Sequence, residues 1–353
     1  MANKLKLTTL GLPMAGEKKF PQGCPVLKAW ANGYANSAMN GAIQRSTEIV
    51  EDPEKADMVL LPSALYLYKA KPALLKVVKE KVKGSKLPAV AFNTPFEDRN
   101  PEWLTHLVQF SWYKTAGTKG VIICPAFVPE GPLVPPETKP WEPARKGPMP
   151  KIGFCGREES FLGLALWRIF PKPVTRWLAG QSRLSRVRVL RTSCRHTLRQ
   201  DAIQLLEAST CIETDFVRRG KTMMHPHRIE AGARQAFLDN MRANPYALCA
   251  RGDENFSWRF YEAMACGRIP VLIDSNCMLP MEDKIDWDRL IVRIKASRLD
   301  KLPETLIWKH ARTTAEEFAR WQEKIRETYE TLLKPEMFLP SMLEHLAPDR
   351  KRN

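Results

Sequence analysis

No stretch of the 353-residue chain stays apolar for 18 residues, which leaves no segment able to cross a membrane as a helix. The opening run, Met1 to Leu10, lacks the apolar core and small-residue cleavage site of a signal peptide. No Cys-x-x-Cys occurs, and the eight scattered cysteines share no zinc-like spacing with histidine. Cys124, Cys211 and Cys249 fall in apolar runs, so buried free thiols of a reducing compartment are expected. The expectation is a cytoplasmic protein, at most peripheral to a membrane, or else a chain whose amino-terminal anchor has been removed. Solenoid-type repeats are missing too.

Acidic residues are also missing from one long stretch. Between Glu159 and Asp201 there is none, while nine lysines and arginines fall inside the gap, with Trp167, Phe170 and Trp177 near its start. The chain as a whole carries a net charge of +16. Such an excess implies an anionic partner: a nucleotide diphosphate, an acidic glycan, an anionic membrane surface or nucleic acid. With no helix-turn-helix, zinc finger or RNA-binding signature, nucleic acid ranks last and is not expected. A solvated basic face is the plainer reading of the same run.

What is present is an alternation of short β-branched runs with amphipathic stretches. Strands are expected at 4–10, 58–61, 89–92 and 121–124, with a helix over Ala70 to Val82. Pro125 to Pro150 holds nine prolines and little periodicity, which reads as a linker. The alternation resumes with strands at 151–155, 187–192 and 211–217 and helices near 160–170, 197–207 and 229–243. A last helix begins at Thr313 or Thr314, since both Thr313 with Glu316 and Thr314 with Glu317 fit a capping box. The fold class is α/β, with mainly parallel sheets. The expected division is 1–124, a linker at 125–150, 151–312, and a tail at 313–353 that packs back on the first domain.

One stretch organises the chemistry, Tyr246 to Trp287. Tyr246 to Cys249 reads as a buried strand, and Ala250 to Asn255 as a polar loop containing Gly252. Ser257 stands at an N-cap position, Trp258 to Cys266 reads as a helix, Gly267 as its stop, and Ile269 to Ile273 as the next strand. The helix N-terminus thus points at the loop, where free N–H groups and a positive dipole end suit a phosphate. Arg259 in the first turn could clamp a diphosphate bidentately. Glu262, one turn on, could accept from both ribose hydroxyls. An Arg–Glu surface pair worth little fits the same spacing. Arg191 and Arg218, each placed after an expected strand, are further candidates for phosphate contacts, with Asn255 and Gly252 in the loop.

Ser257, Arg259, Glu262-Ala263, Gly267, Ile269-Pro270-Val271, Leu279-Pro280 and Asp286-Trp287 together resemble the carboxy-terminal signature of exostosin-type glycosyltransferases. About forty residues match in order, which is far more specific than a lone glycine motif. Ala56 to Pro62 is similar to that family's amino-terminal strand, and Lys151 to Gly156 to the strand opening its second domain. Arg268 stands where the family usually has cysteine, a departure expected to alter the edge of the donor pocket. Eukaryotic relatives generally carry an amino-terminal membrane anchor, which the first residues here do not resemble.

The resemblance implies a GT-B architecture, two Rossmann-like domains facing a cleft. It also implies inverting transfer of a sugar from a nucleotide diphosphate sugar, a UDP-sugar, to a glycan or lipid-linked saccharide. No cofactor and no metal are expected beyond that donor. Asp286-Trp287-Asp288 imitates a metal-binding DxD, but in the family it closes a turn. His225 and His227 lack a third ligand. The catalytic base should come from the first domain, with Asp98 and Glu97 foremost and His106 next; no motif fixes it. A catalytically weak glycan- or membrane-binding protein that keeps the fold is the alternative.

Overall fold

A computed structural model describes residues 4–13, 15, 45–93, 100–126, 128, 142–157, 188–219, 231–252 and 254–346. The chain divides into two units. One comprises Met1–Trp112, Ala116–Phe127 and Thr331–Asn353; the other comprises Tyr113–Thr115 and Val128–Glu330.

Short β-branched runs become the strands of the first unit: β1 (Leu5–Thr8), β2 (Thr47–Ile49), β3 (Met58–Leu60), β4 (Ala89–Asn93), β5 (His106–Gln109) and β6 (Val121–Ile123). All pair in parallel, in the order β2-β1-β3-β4-β5-β6. The β4 strand is buried at every position, as a parallel strand covered on both faces must be. Helix α1 (Leu65–Lys69) is followed by α2 (Pro72–Ser85). Val78 and Val82 of α2, one turn apart, face inward among its lysines.

The second unit repeats the plan. Its strands are β7 (Lys151–Arg157), β8 (Glu213–Arg219), β9 (Tyr246–Cys249), β10 (Ile269–Asp274) and β11 (Val292–Lys295). They too are all parallel, in the order β11-β10-β9-β7-β8. Between them run α3 (Arg188–Glu207), α4 (Ala231–Ala243), α5 (Trp258–Ala265) and the short α6 (Trp287–Leu290). Helix α4 packs on β7, and α5 on β9 and β10. Both units therefore share one winding, in which the second strand lies to one side of the first and the third to the other. Two doubly wound α/β units are the component parts of the expected architecture.

Two helices after β11 pack within the second unit. Helix α7 (Leu302–Ala311) leads to α8 (Ala315–Thr328), and Thr314, not Thr313, caps it. The Thr314 hydroxyl accepts from Glu317 N at 3.2 Å, and the Glu317 carboxylate accepts from Thr314 N at 2.8 Å. Phe318, Ile325 and Tyr329 form the buried stripe. A π turn over Tyr329–Leu333 then adds one residue to the repeat, and Leu333 is buried while Leu332 is half-buried. Helix α9 (Pro335–Leu346) clusters with the first unit.

The stretch 142–150 is held on the second unit. Gln322, fully buried on α8, accepts from Ala144 N at 2.9 Å and donates to Ala144 O at 2.8 Å. His310 Nε2 donates to Gly147 O at 3.0 Å, and its Nδ1 lies 3.2 Å from the Tyr246 hydroxyl.

Three local expectations change. The strand expected at 187–192 is the start of helix α3, whose buried Leu198, Ala202 and Leu206 recur every fourth residue. Strands β2 and β5 were not foreseen. Cys211 is exposed, whereas Cys124, Cys155, Cys249, Cys266 and Cys277 are buried free thiols. Burial pushes the thiols of Cys249 and Cys266 up to about 12 and about 11, so both are inert at neutral pH. The helix expected near 160–170 lies outside the described residues.

Candidate functional site

Polar loops collect at the carboxyl edge of the second sheet. Its winding reverses between β7 and β9, the point at which successive crossovers leave to opposite faces and open a crevice beyond the strand ends. The sequence supplies that point with Phe154-Cys155-Gly156 at the end of β7 and with Ala250 to Ser257 after β9.

Phe154 is the centre of the arrangement. The Arg259 guanidinium lies 4.2 Å from its ring centroid and that of Arg199 5.7 Å, with Phe237 5.3 Å from Arg259. Arg259 Nη2 also donates to the carbonyl of Cys155. Arg199, from α3, donates through Nη2 to Arg251 O at 3.0 Å. Two guanidiniums from different helices thus meet at one aromatic ring, at the switch point. Arg251 is buried behind them and donates through Nη1 to the Tyr113 hydroxyl.

Helix α5 opens at the same place. Ser257 takes the N-cap with extended backbone, φ −131° and ψ 120°, but its hydroxyl makes no capping bond. Gly267 ends the helix at φ +58°, a left-handed conformation that glycine accepts without strain. Arg259 and Glu262 are both half-buried, and their charges act in opposite senses on the Cys249 thiol at the end of β9.

Asn255 is buried and does a different task. Its Nδ2 donates to Ser275 O at 3.2 Å, and its Oδ1 accepts from Ser275 Oγ at 2.5 Å, locking the loop after β9 to the loop after β10. Gly252 donates its N–H to Phe256 O at 3.1 Å, closing the turn before α5. Arg218 is exposed at the end of β8 and forms an ion pair with Glu207. Arg191 does not follow a strand; it lies within α3, and its side chain is outside the described residues.

In the first unit, Glu97 and Asp98 lie outside the described residues. His106 opens β5, which puts it at the amino end of a parallel strand, opposite the carboxyl edge. Burial lowers its pKa, and the charge of His345 lowers it further.

Among the described residues, no three histidine, cysteine or acidic side chains gather as a metal-ligand set. Asp286 caps α6, accepting from Arg289 N at 3.2 Å, and Asp288 lies 3.5 Å from Arg293 Nη1. The two carboxylates are held on separate arginines. His225 and His227 lie outside the described residues.

Arg268 stands at the amino end of β10, not at the edge that holds Arg259. It donates to Met241 O at 3.1 Å, Arg242 O at 3.2 Å and Gln322 Oε1 at 3.2 Å. Buried at 7% exposure, it caps the last carbonyls of α4, at the end of the sheet opposite Arg259.

Residues 164–307 match the family profile of the Exostosin GT47 domain. The second unit is exostosin-like. Its curated relatives include the "Probable glycosyltransferase At3g07620" of Arabidopsis thaliana, 31% identical over 71 residues that make up 20% of this chain and 15% of the relative. "Exostosin-1" of Drosophila melanogaster is 34% identical over 64 residues, 18% of this chain and 8% of that protein. The matched stretch thus spans a small part of either relative. Among solved structures, a mutant S. aureus TarM in complex with Fondaparinux, alpha-GlcNAc-glycerol and UDP aligns at a TM-score of 0.36 and 9% identity, covering 81% of this chain and 54% of that one. The fold of the exostosin-like unit rests instead on its own strand order and register.

Arg199, Arg251, Tyr113 and Phe154 were not singled out in the sequence. Arg251 had a usable signal, as a cation immediately after a buried strand. Tyr113 had none, because its place depends on tertiary structure alone.

Proposed function

We propose that the chain is a glycosyltransferase that moves a sugar from a nucleotide diphosphate sugar, a UDP-sugar, to a glycan or lipid-linked saccharide with inversion at the anomeric carbon. The observation that carries this reading is the meeting of Arg259 and Arg199 over Phe154 at the switch point, beside the N-terminus of α5. Two like charges at one ring repel, and a bound diphosphate relieves that repulsion.

In this reading the donor diphosphate lies along the carboxyl edge, held by Arg259 and by the N–H groups that open α5. As the glycosidic bond breaks, negative charge builds on the leaving diphosphate, and these fixed donors stabilise it more than they stabilise the intact donor. Glu262 takes the ribose hydroxyls. A carboxylate of the first unit, Asp98 or Glu97, removes the acceptor proton. No divalent metal is required, because the charge is met by arginine and a helix terminus.

Turnover tests the proposal. The chain is incubated with a panel of UDP-sugars and saccharide acceptors, with and without EDTA, and the product anomer is read by NMR. One UDP-sugar is expected to give an inverted product with EDTA present. Failure of every donor to react or hydrolyse would leave a binding protein that keeps the fold; a manganese requirement would restore a metal role to Asp286 and Asp288.

A further inference from the structure

Tyr113, Lys114 and Thr115 lie between β5 and β6 in sequence, yet they belong by contact to the second unit. Tyr113 forms an antiparallel bridge with Cys277, and Lys114 N donates to Asn276 O at 2.9 Å. A short extended piece is thereby added beyond the end of β10. The Lys114 ammonium reaches Glu282 at 2.9 Å.

The Tyr113 side chain turns towards β9. It is 1% exposed; its hydroxyl accepts from Arg251 Nη1, and the Arg251 guanidinium stands 5.4 Å from its ring centroid. Arg251 is itself 3% exposed, so it acts within the protein and not on a ligand.

These contacts close a ring. Arg251 reaches Tyr113; Tyr113 is bridged to Cys277; Cys277 N donates to Asp274 Oδ1 at 2.9 Å in the turn that carries Ser275; and Ser275 is locked to Asn255, four residues from Arg251. The ring encloses the base of the loop that delivers Ser257 and the first turn of α5. Arg251 O also accepts from Arg199, which ties one of the two guanidiniums at Phe154 to the same ring.

We propose that Tyr113 is a positioning residue of the donor site, holding Arg251 so that the loop at 250–257 presents the α5 N-terminus and Arg199 to the nucleotide diphosphate. The inference rests on the donor-site reading above. Loops that bind anions through backbone N–H groups depend on a fixed geometry, and a loop freed to move loses affinity through the entropy of ordering.

The test is Tyr113→Phe, which keeps the ring and deletes only the hydroxyl. UDP binding is measured by calorimetry on wild type, Tyr113→Phe, Arg251→Gln and the double variant. Amide exchange over residues 250–257 is followed in the free chains. The expected result is a loss of UDP affinity of about tenfold, the order set by one hydrogen bond to a charged group. Faster exchange in the loop should accompany it, with little change in melting temperature, and the double variant should bind no worse than Arg251→Gln alone. Unchanged UDP affinity in Tyr113→Phe overturns the inference while the donor site stands. Losses that add in the double variant overturn the route through Arg251. A wild-type chain that binds neither UDP nor pyrophosphate overturns the donor reading and this inference with it.

Discussion

Arg259 lies against Gly156: a Cβ built at position 156 would come within 3.0 Å of Arg259 Nη2 and 2.9 Å of Phe154 Cζ. The guanidinium of α5 and the end of β7 are therefore fitted to each other through the missing side chain. Gly156→Ala should push Arg259 off the Cys155 carbonyl and away from Phe154. Since both displaced atoms are far ends of side chains, stability should change little, while UDP affinity falls by about three- to tenfold. Calorimetry alongside thermal melting separates the two effects.

Gly153, three residues earlier, meets a rigid neighbour. A Cβ there would lie 2.7 Å from Nδ2 of Asn244, which is 1% exposed and donates to Asp215 Oδ2 at 2.6 Å and Asn240 O at 2.7 Å. Asn244 cannot yield without breaking bonds between α4 and β8. Gly153→Ala should destabilise the chain by about 1–3 kcal/mol, read as a lower denaturant midpoint.

Arg268 gives the opposite pattern of stability and binding. Arg268→Ala removes the cap on α4 and leaves Met241 O and Arg242 O buried without that donor. A loss of about 2–4 kcal/mol of stability is expected. UDP affinity should stay as in wild type, because Arg268 stands at the amino end of β10.

The parts most legible in the sequence were those whose signal is local. Tyr246 to Cys249 reads as a strand because four apolar residues end at a polar loop, and it is one. Thr314 and Glu317 announce a helix start through reciprocal capping, and both bonds are present. The run at 187–192 misled because a short apolar stretch has the same composition in a strand and in a buried helix. Only the four-residue recurrence of Leu198, Ala202 and Leu206 separates the two. At the site, Arg259 and Glu262 were legible through a motif. Arg199 was hidden among nine similar cations, and Tyr113 is brought to Arg251 across 138 residues of sequence.

His310 makes stability depend on pH. Burial lowers its pKa below the usual 6.5; the positive charge of Lys146 adds to that, and its bond to Gly147 O opposes it. A histidine more acidic in the folded state is neutral there while the unfolded chain takes up protons. Its contribution is therefore complete above pH 6.5 and is lost as pH falls through the lower folded value. Denaturant unfolding from pH 8 to 5 should show falling stability below about pH 6.5, and His310→Gln should flatten part of that slope. An unchanged slope would place the proton uptake elsewhere, His106 being the other histidine shifted downward among the described residues.

On the proposed function, the edge formed by β7, β9 and the start of α5 binds a nucleotide diphosphate through Arg259 and Glu262. Calorimetric titration of UDP into wild type, Arg259→Ala and Glu262→Ala tests it most directly. Wild type should bind; Arg259→Ala should lose UDP affinity by about tenfold or more with its charge-assisted contact, and Glu262→Ala should bind more weakly than wild type. If both variants bind UDP as wild type does, the donor site is not at this edge.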